Sequence, residues 1–217
     1  MDDINYFKNI KNKYILKLIF DNLLQKNFLK IMRYNKALQI RLNKTLYDFK
    51  KESYKVEIEI IPKENKYGKF INLILKTYQD CYHAYFNNNT EEAKKNYITK
   101  EDKVSKIKLV LDYPFKNLNA LFRGCKCIQK INFIKFNRPD IIDMNVMFRG
   151  CLSLEEINLS KLITANVKHM NGMFRGCLSL KEINFSNLTS NNPIEMDYMF
   201  HFCSSLKKVN LSNNNII

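Results

Sequence analysis

Apolar side chains return at a fixed interval along the second half of this chain. Phe122, Phe148, Phe174 and Phe200 lie 26 residues apart, as do Cys125, Cys151, Cys177 and Cys203, and Leu118, Met144, Met170 and Met196. Such a period marks a stacked repeat, whose units cannot bury their apolar faces alone and must pack on their neighbours. In the third unit Met170, Met173 and Phe174 fall at helical spacing, which predicts a short helix ended by Gly176. Leu180, Ile183 and Phe185 then read as a short strand with Glu182, Asn184 and Ser186 on its opposite face. The expected unit is therefore a short helix, a tight turn and a strand paired in parallel with the next. Over residues 114–217 this makes an α/β solenoid of four repeats.

The first half carries two other patterns. Over residues 1–53 apolar positions predict helices, with Ile15, Leu18, Ile19 and Leu23 on one stripe and Phe28, Ile31, Met32, Leu38 and Leu42 on a second. Asn27 is placed to cap the second. From 54 to 113 the period changes to two: Val56, Ile58 and Ile60 alternate with Glu57 and Glu59 until Pro62. Further strands are expected at 70–76 and 81–86, and a short helix capped by Thr90 with Glu91 and Glu92 in its first turn. Ile107, Leu109 and Leu111 predict a strand that starts the sheet which the repeats extend. The middle region is thus a small α+β block leading into the solenoid.

The repeat motif M-x-x-M-F-x-x-C-x-S-L-x-x-I-N-L-S runs from Met144 to Ser160 and again from Met170 to Ser186, with Phe185 in place of Leu. It resembles the BspA-like class of leucine-rich repeat, found in bacterial surface antigens and in protist proteins. The resemblance covers residues 118–212. The first copy departs from it, with Leu118, Leu121 and Lys126-Cys127-Ile128, as a capping unit would. The resemblance implies adhesion or partner binding by stacked leucine-rich units and offers no catalytic residue to carry over. The stretches 15–23 and 28–36 are similar to an F-box helix cluster, although the leading Leu-Pro of that family is missing. That second likeness implies a substrate-recognition adaptor of a ubiquitin ligase.

Composition narrows the partners. With 217 residues, 46% of them hydrophobic, the chain can bury a sizeable core. Its net charge of +15 suggests a polyanion, but residues 1–60, 61–117 and 118–217 are each net basic, so no tail or stripe concentrates the charge. Nucleic acid is not the expected partner. The start is acidic and polar at Asp2 and Asp3, and the apolar run near it is too short to cross a membrane. A cytoplasmic location with reduced cysteines and no membrane partner is expected.

Zinc favours paired ligands, and only Cys125 and Cys127 are close, one residue apart. The Cys and Met columns therefore read as core, with no metal and no cofactor. His83, His169 and His201 lack metal-ligand spacing, and no phosphate loop, nucleophile elbow or dinucleotide fingerprint is present. The chain reads as a non-enzyme without a small-molecule substrate.

What remains is surface. The outward strand positions line up as Lys130, Glu156, Glu182 and Lys208, then Asn132, Asn158, Asn184 and Asn210, then Ile134, Ser160, Ser186 and Ser212. This polar face, with its amide column, is the expected contact for a protein partner. Arg123, Arg149 and Arg175 form a second column, suited to a carboxylate- or phosphate-bearing partner. No polar capping unit follows the fourth strand, so the expectation is either that the array continues in a longer protein or that the open end pairs with another copy of the chain. The function expected is a protein-interaction scaffold, with the ubiquitin-ligase adaptor as the alternative.

Overall fold

A computed structural model describes residues 31, 35–43, 45–72, 81–112, 117–162, 165–185 and 194–211. The chain divides into two compact units, Met1–Tyr54 and Lys55–Ile217.

Two short helices are described in the first unit. Helix α1, Lys36–Leu42, begins where the Asn35 side chain accepts the Leu38 N–H at 3.0 Å and ends on Asn43 in a left-handed conformation. Helix α2, Leu46–Ser53, opens with a capping box: Thr45 accepts from the Asp48 N–H, and Asp48 accepts from the Thr45 N–H at 2.7 Å. Leu38 and Leu42, one turn apart, bury the inner side of α1. The expected stripe at 15–23, the Asn27 cap, Phe28 and Met32 lie outside the described residues, as does most of the F-box-like stretch.

In the second unit the alternation at Val56–Pro62 becomes strand β1, with Val56, Ile58, Ile60 and Pro62 inward. Around it are β2 (Gly68–Lys69), β3 (Tyr82–Phe86), β4 (Tyr97–Ile98), β5 (Ile107–Leu111), β6 (Ile128–Lys135), β7 (Glu156–Asn158), β8 (Glu182–Phe185) and β9 (Lys208–Leu211). The main sheet has the order β3-β5-β1-β6-β7. It is mixed: β1 is antiparallel to both β5 and β6, while β6 and β7 run parallel. Strands β8 and β9 form a separate parallel pair, and β2 with β4 a small antiparallel one.

This overturns the expected α/β leucine-rich-repeat solenoid with short helices and one continuous parallel sheet. The unit is a β-rich domain with a mixed sheet, and no helix occurs from 114 to 217 among the described residues. The strand that meets the first repeat is β1, antiparallel, and not Ile107–Leu111. Residues 90–95 form no helix either, because the Ala93 N–H returns to the Ala84 carbonyl on β3 at 2.8 Å. Residues 70–72 are not a strand: Phe70 and Ile71 are buried in a bend.

The reason for the missing helices lies in the backbone hydrogen bonds of the repeats. Between Met144 and Cys151 alternate amides do different work. Met147, Arg149 and Cys151 donate to the residue three before, closing consecutive tight turns. Met144, Val146, Phe148 and Gly150 donate to His169, Asn171, Met173 and Arg175, 25 positions onward in the next repeat, at 2.8–2.9 Å. The same four-bond ladder joins Leu118–Gly124 to Asp143–Arg149 and Met170–Gly176 to Glu195–His201. An amide used between repeats cannot serve an α-helix. Left-handed residues at Ala120, Val146 and Gly172, and again at Gly124, Gly150 and Gly176, hold the turns open.

The recurring side chains stack along this ladder. Phe122, Phe148, Phe174 and Phe200 follow one another at ring-centroid distances of 5.4, 5.2 and 6.0 Å with nearly parallel planes. Each later cysteine thiol donates to the phenylalanine carbonyl of the preceding repeat: Cys151 to Phe122, Cys177 to Phe148 and Cys203 to Phe174, at 3.0–3.1 Å. Burial pushes these thiols up, away from the reactive thiolate.

One ion network ties the block before the repeats to the repeats themselves. The Glu155 carboxylate accepts from Lys63 Nζ at 2.5 Å, Lys181 Nζ at 3.2 Å and Gln129 Nε2 at 3.3 Å. Those hydrogen bonds, the one from Lys63 foremost, lower its pKa from 4.5 to about 2. A carboxyl with a depressed folded-state pKa contributes stability that is present above the unfolded value and lost as pH falls through the folded one. Both lysines are partly exposed, which screens the pair. Glu155→Gln is expected to cost about 1–2 kcal/mol at pH 7 and less than half of that at pH 3. Urea unfolding at both pH values measures it, and an equal penalty at each would refute the assignment.

Candidate functional site

The exposed side of the main sheet is built by the outward half of each strand's alternation. Register places Lys108, Glu59, Asn132 and Asn158 in one row across β5, β1, β6 and β7. Near β1 this row is closed by internal pairs. Glu59 accepts from Lys106 Nζ at 2.5 Å and from Asn132 Nδ2 at 3.1 Å, and both bonds, Lys106 first, hold its carboxyl below the usual range. Lys108 faces Glu57 at 3.4 Å, and Lys130 faces Glu156 at 2.9 Å.

Further along, the expected contact residues are open. Glu156 and Asn158 on β7, Glu182 and Asn184 on β8, and Lys208 and Asn210 on β9 are all exposed. Pairing is in register as Lys130 with Glu156, Asn132 with Asn158, Glu182 with Lys208 and Asn184 with Asn210. Asn158 turns back to accept the Ser160 N–H at 3.0 Å. Ser186 lies outside the described residues, as does Ser212. The eight-residue set is thus divided, with β6–β7 in the main sheet and β8–β9 in their own pair.

A second amide column, on the turns, was not singled out from the sequence. The Asn171 N–H donates to Asn145 Oδ1 and the Asp197 N–H to Asn171 Oδ1, both at 2.7 Å. Beside it Glu195 accepts from Asn171 Nδ2 at 3.0 Å and lies 2.8 Å from His169 Nδ1. These two contacts, His169 first, lower the Glu195 pKa. The signal was available: Asn119, Asn145, Asn171 and Asp197 also recur every 26 residues.

The Arg column keeps its order. The carbonyls of Arg149, Arg175 and His201 accept from Gly124, Gly150 and Gly176 at 2.8–2.9 Å, so these positions follow one another along the ladder. Arg123 is exposed and Arg149 and Arg175 are half-buried. The Arg175 guanidinium lies 6.0 and 5.9 Å from the ring centroids of Tyr198 and Phe202. Those two rings are 70% and 62% exposed, the most open aromatics among the described residues. His201 packs on Phe202 at 3.8 Å between centroids.

Among the described residues no helix is long and apolar enough to cross a membrane. No curated protein and no solved structure matches the chain. A family model described as "Mycoplasma protein of unknown function, DUF285" matches residues 115–216, just under half of the chain and the whole of its repeat region, and that family is related to the BspA-like surface repeat proteins.

Proposed function

We propose that this chain is a non-enzymatic protein-interaction scaffold that holds a partner protein on the polar face of its repeats. One observation carries the reading. Glu156, Asn158, Glu182, Asn184, Lys208 and Asn210 are presented outward from parallel strands, in register within each strand pair, while Ile131, Ile157 and Ile183 between them pack into the core. Interaction surfaces of repeat proteins arise in this way, because stacking consumes the apolar side and leaves the exterior free for recognition. The partner is a protein: spaced amides and carboxylates suit hydrogen-bonded recognition of a polypeptide surface.

The double variant Glu156→Arg/Glu182→Arg tests this. Both side chains are exposed, and setting Arg opposite Lys130 and Lys208 is expected to cost no more than about 1 kcal/mol at each site, so the chain stays folded. Retention of the copurifying partner is expected to fall at least about tenfold, equivalent to about 1.4 kcal/mol of binding. Undiminished retention, or intact chain that holds no polypeptide under mild washing, would refute the reading.

A further inference from the structure

Several charged side chains of the repeats find an opposite charge on the neighbouring repeat. Lys130 meets Glu156 at 2.9 Å, Lys181 meets Glu155 at 3.2 Å, and register sets Glu182 opposite Lys208. The arginine column departs from this pattern. Arg123, Arg149 and Arg175 succeed one another along the turn ladder, where the Arg149 and Arg175 carbonyls accept from Gly124 and Gly150 at 2.8 and 2.9 Å. Three like charges therefore recur at the spacing of the rungs, about 5 Å. Among the described residues none of the three meets a carboxylate, and Arg175 has only ring contacts, with Tyr198 and Phe202.

Folding thus supplies Arg123 and Arg149 with no counter-charge, and like charges on neighbouring rungs oppose the stacking of the repeats that carry them. The strip beside the column is open. Gly124, Gly150 and Gly176 follow the arginines, each at least partly exposed and without a side chain. Three positions beyond the arginines, at the next turn, Lys126, Leu152 and Leu178 are exposed. The second and third repeats each offer, in order, a guanidinium, a bare stretch of backbone and an open leucine.

We infer that this column is a docking strip for an extended acidic segment of a partner protein. Its carboxylates take the guanidinium forks of Arg123, Arg149 and Arg175, and its apolar side chains cover Leu152 and Leu178. The planar fork of arginine matches a carboxylate through two parallel hydrogen bonds. Alternate residues of an extended chain fall about 7 Å apart, against about 5 Å between rungs, and a long arginine side chain spans the difference. The leucines decide between acidic polymers, because a phosphate backbone leaves them in water whereas a polypeptide buries them. The strip lies on the turn ladder and not on β6–β9, so it stands independently of the polar strand face.

The test is an NMR titration of the full chain that follows backbone amides and arginine Nε–H signals. The probes are a capped ten-residue peptide alternating Glu and Leu, its counterpart of Lys and Leu, and a ten-nucleotide single-stranded RNA. The Glu peptide is expected to saturate below millimolar concentration and to shift the Nε–H signals of all three arginines with the amides of Leu152 and Leu178. Arg123→Gln/Arg149→Gln/Arg175→Gln should weaken it at least about tenfold and flatten its salt dependence, with the urea midpoint unchanged or higher. Arg123→Lys/Arg149→Lys/Arg175→Lys should weaken it about threefold, since the charge remains and the fork is lost. Glu156→Gln/Glu182→Gln should change it less than about twofold. The inference is overturned by absence of saturation at millimolar peptide, by equal binding of the Glu and Lys peptides, or by native affinity in the triple Gln variant. Tighter binding of the RNA than of the Glu peptide would overturn it in favour of a nucleic-acid partner.

Discussion

Replacing Phe174 by alanine is expected to lower the stability of the repeat-bearing unit by about 3–5 kcal/mol. Phe174 is fully buried, stacked on Phe148 at 5.2 Å and on Phe200 at 6.0 Å, with Phe185 edge-on at 6.1 Å. Each aromatic pair adds about 0.5–1.5 kcal/mol to what burial contributes, and the vacancy sits in a column that cannot collapse without breaking the ladder beside it. Domains of ordinary size are stable by only about 5–15 kcal/mol, so one substitution removes a large share. Phe200→Ala should cost clearly less, because Phe200 is only partly buried and is stacked on one side alone, by Phe174, with Phe185 tilted against it at 6.3 Å. Urea midpoints of the two variants measure the contrast. A loss below about 1 kcal/mol for Phe174→Ala would show that the column is not the core.

That column was legible in the sequence, since identical residues at constant spacing need no knowledge of the backbone to be recognised as a stack. The alternation at Val56–Pro62 and Ile107–Leu111 was legible for a similar reason: a half-buried strand writes its two faces into every second residue. The helix expected at Met170, Met173 and Phe174 was not found, because spacings of three and four also arise from two tight turns in succession. The distinguishing feature is the left-handed residue at every fourth position. Gly172 and Gly176 announce it, but Val146 and Ala120 conceal it in the neighbouring copies. Sheet order was out of reach for a different reason. Pairing β1 with both β5 and β6 joins residues 47 (Ile60 with Ile107) to 78 (Glu57 with Lys135) positions apart in sequence, and no local pattern encodes it.

The candidate face was half legible. Outward strand positions are a matter of parity, so Glu156, Glu182, Asn158 and Asn184 could be named in advance. Their partners could not. Glu59 reaches Asn132 across a strand pairing invisible from the sequence, which turns the first member of the expected amide column into a structural residue. The inward columns announce themselves by composition; the outward ones acquire meaning only after the hydrogen bonds have been assigned.

A charged pair inside the repeats leads to the second large effect. Arg138 follows β6 and is 1% exposed, and its guanidinium makes a two-pronged contact with Asp140 at 2.8 Å through Nε and 3.2 Å through Nη2. The loop folds over it: Ile141 donates back to the Arg138 carbonyl at 3.3 Å, and Asn166 Nδ2 donates to the Pro139 carbonyl at 2.7 Å. Deleting one partner of a buried pair costs about 3–5 kcal/mol, since the remaining charge loses its compensation. Asp140 is about one-third exposed and Arg138 has further partners, which temper the loss. Asp140→Ala is therefore expected to destabilise by about 2–3 kcal/mol. The double variant Arg138→Met/Asp140→Ala should recover part of this, because an unbranched apolar side chain fills the space without needing a counter-charge. A double variant weaker than Asp140→Ala alone would mean that Arg138 is held chiefly by its other contacts, and the ion pair would then be incidental to the loop.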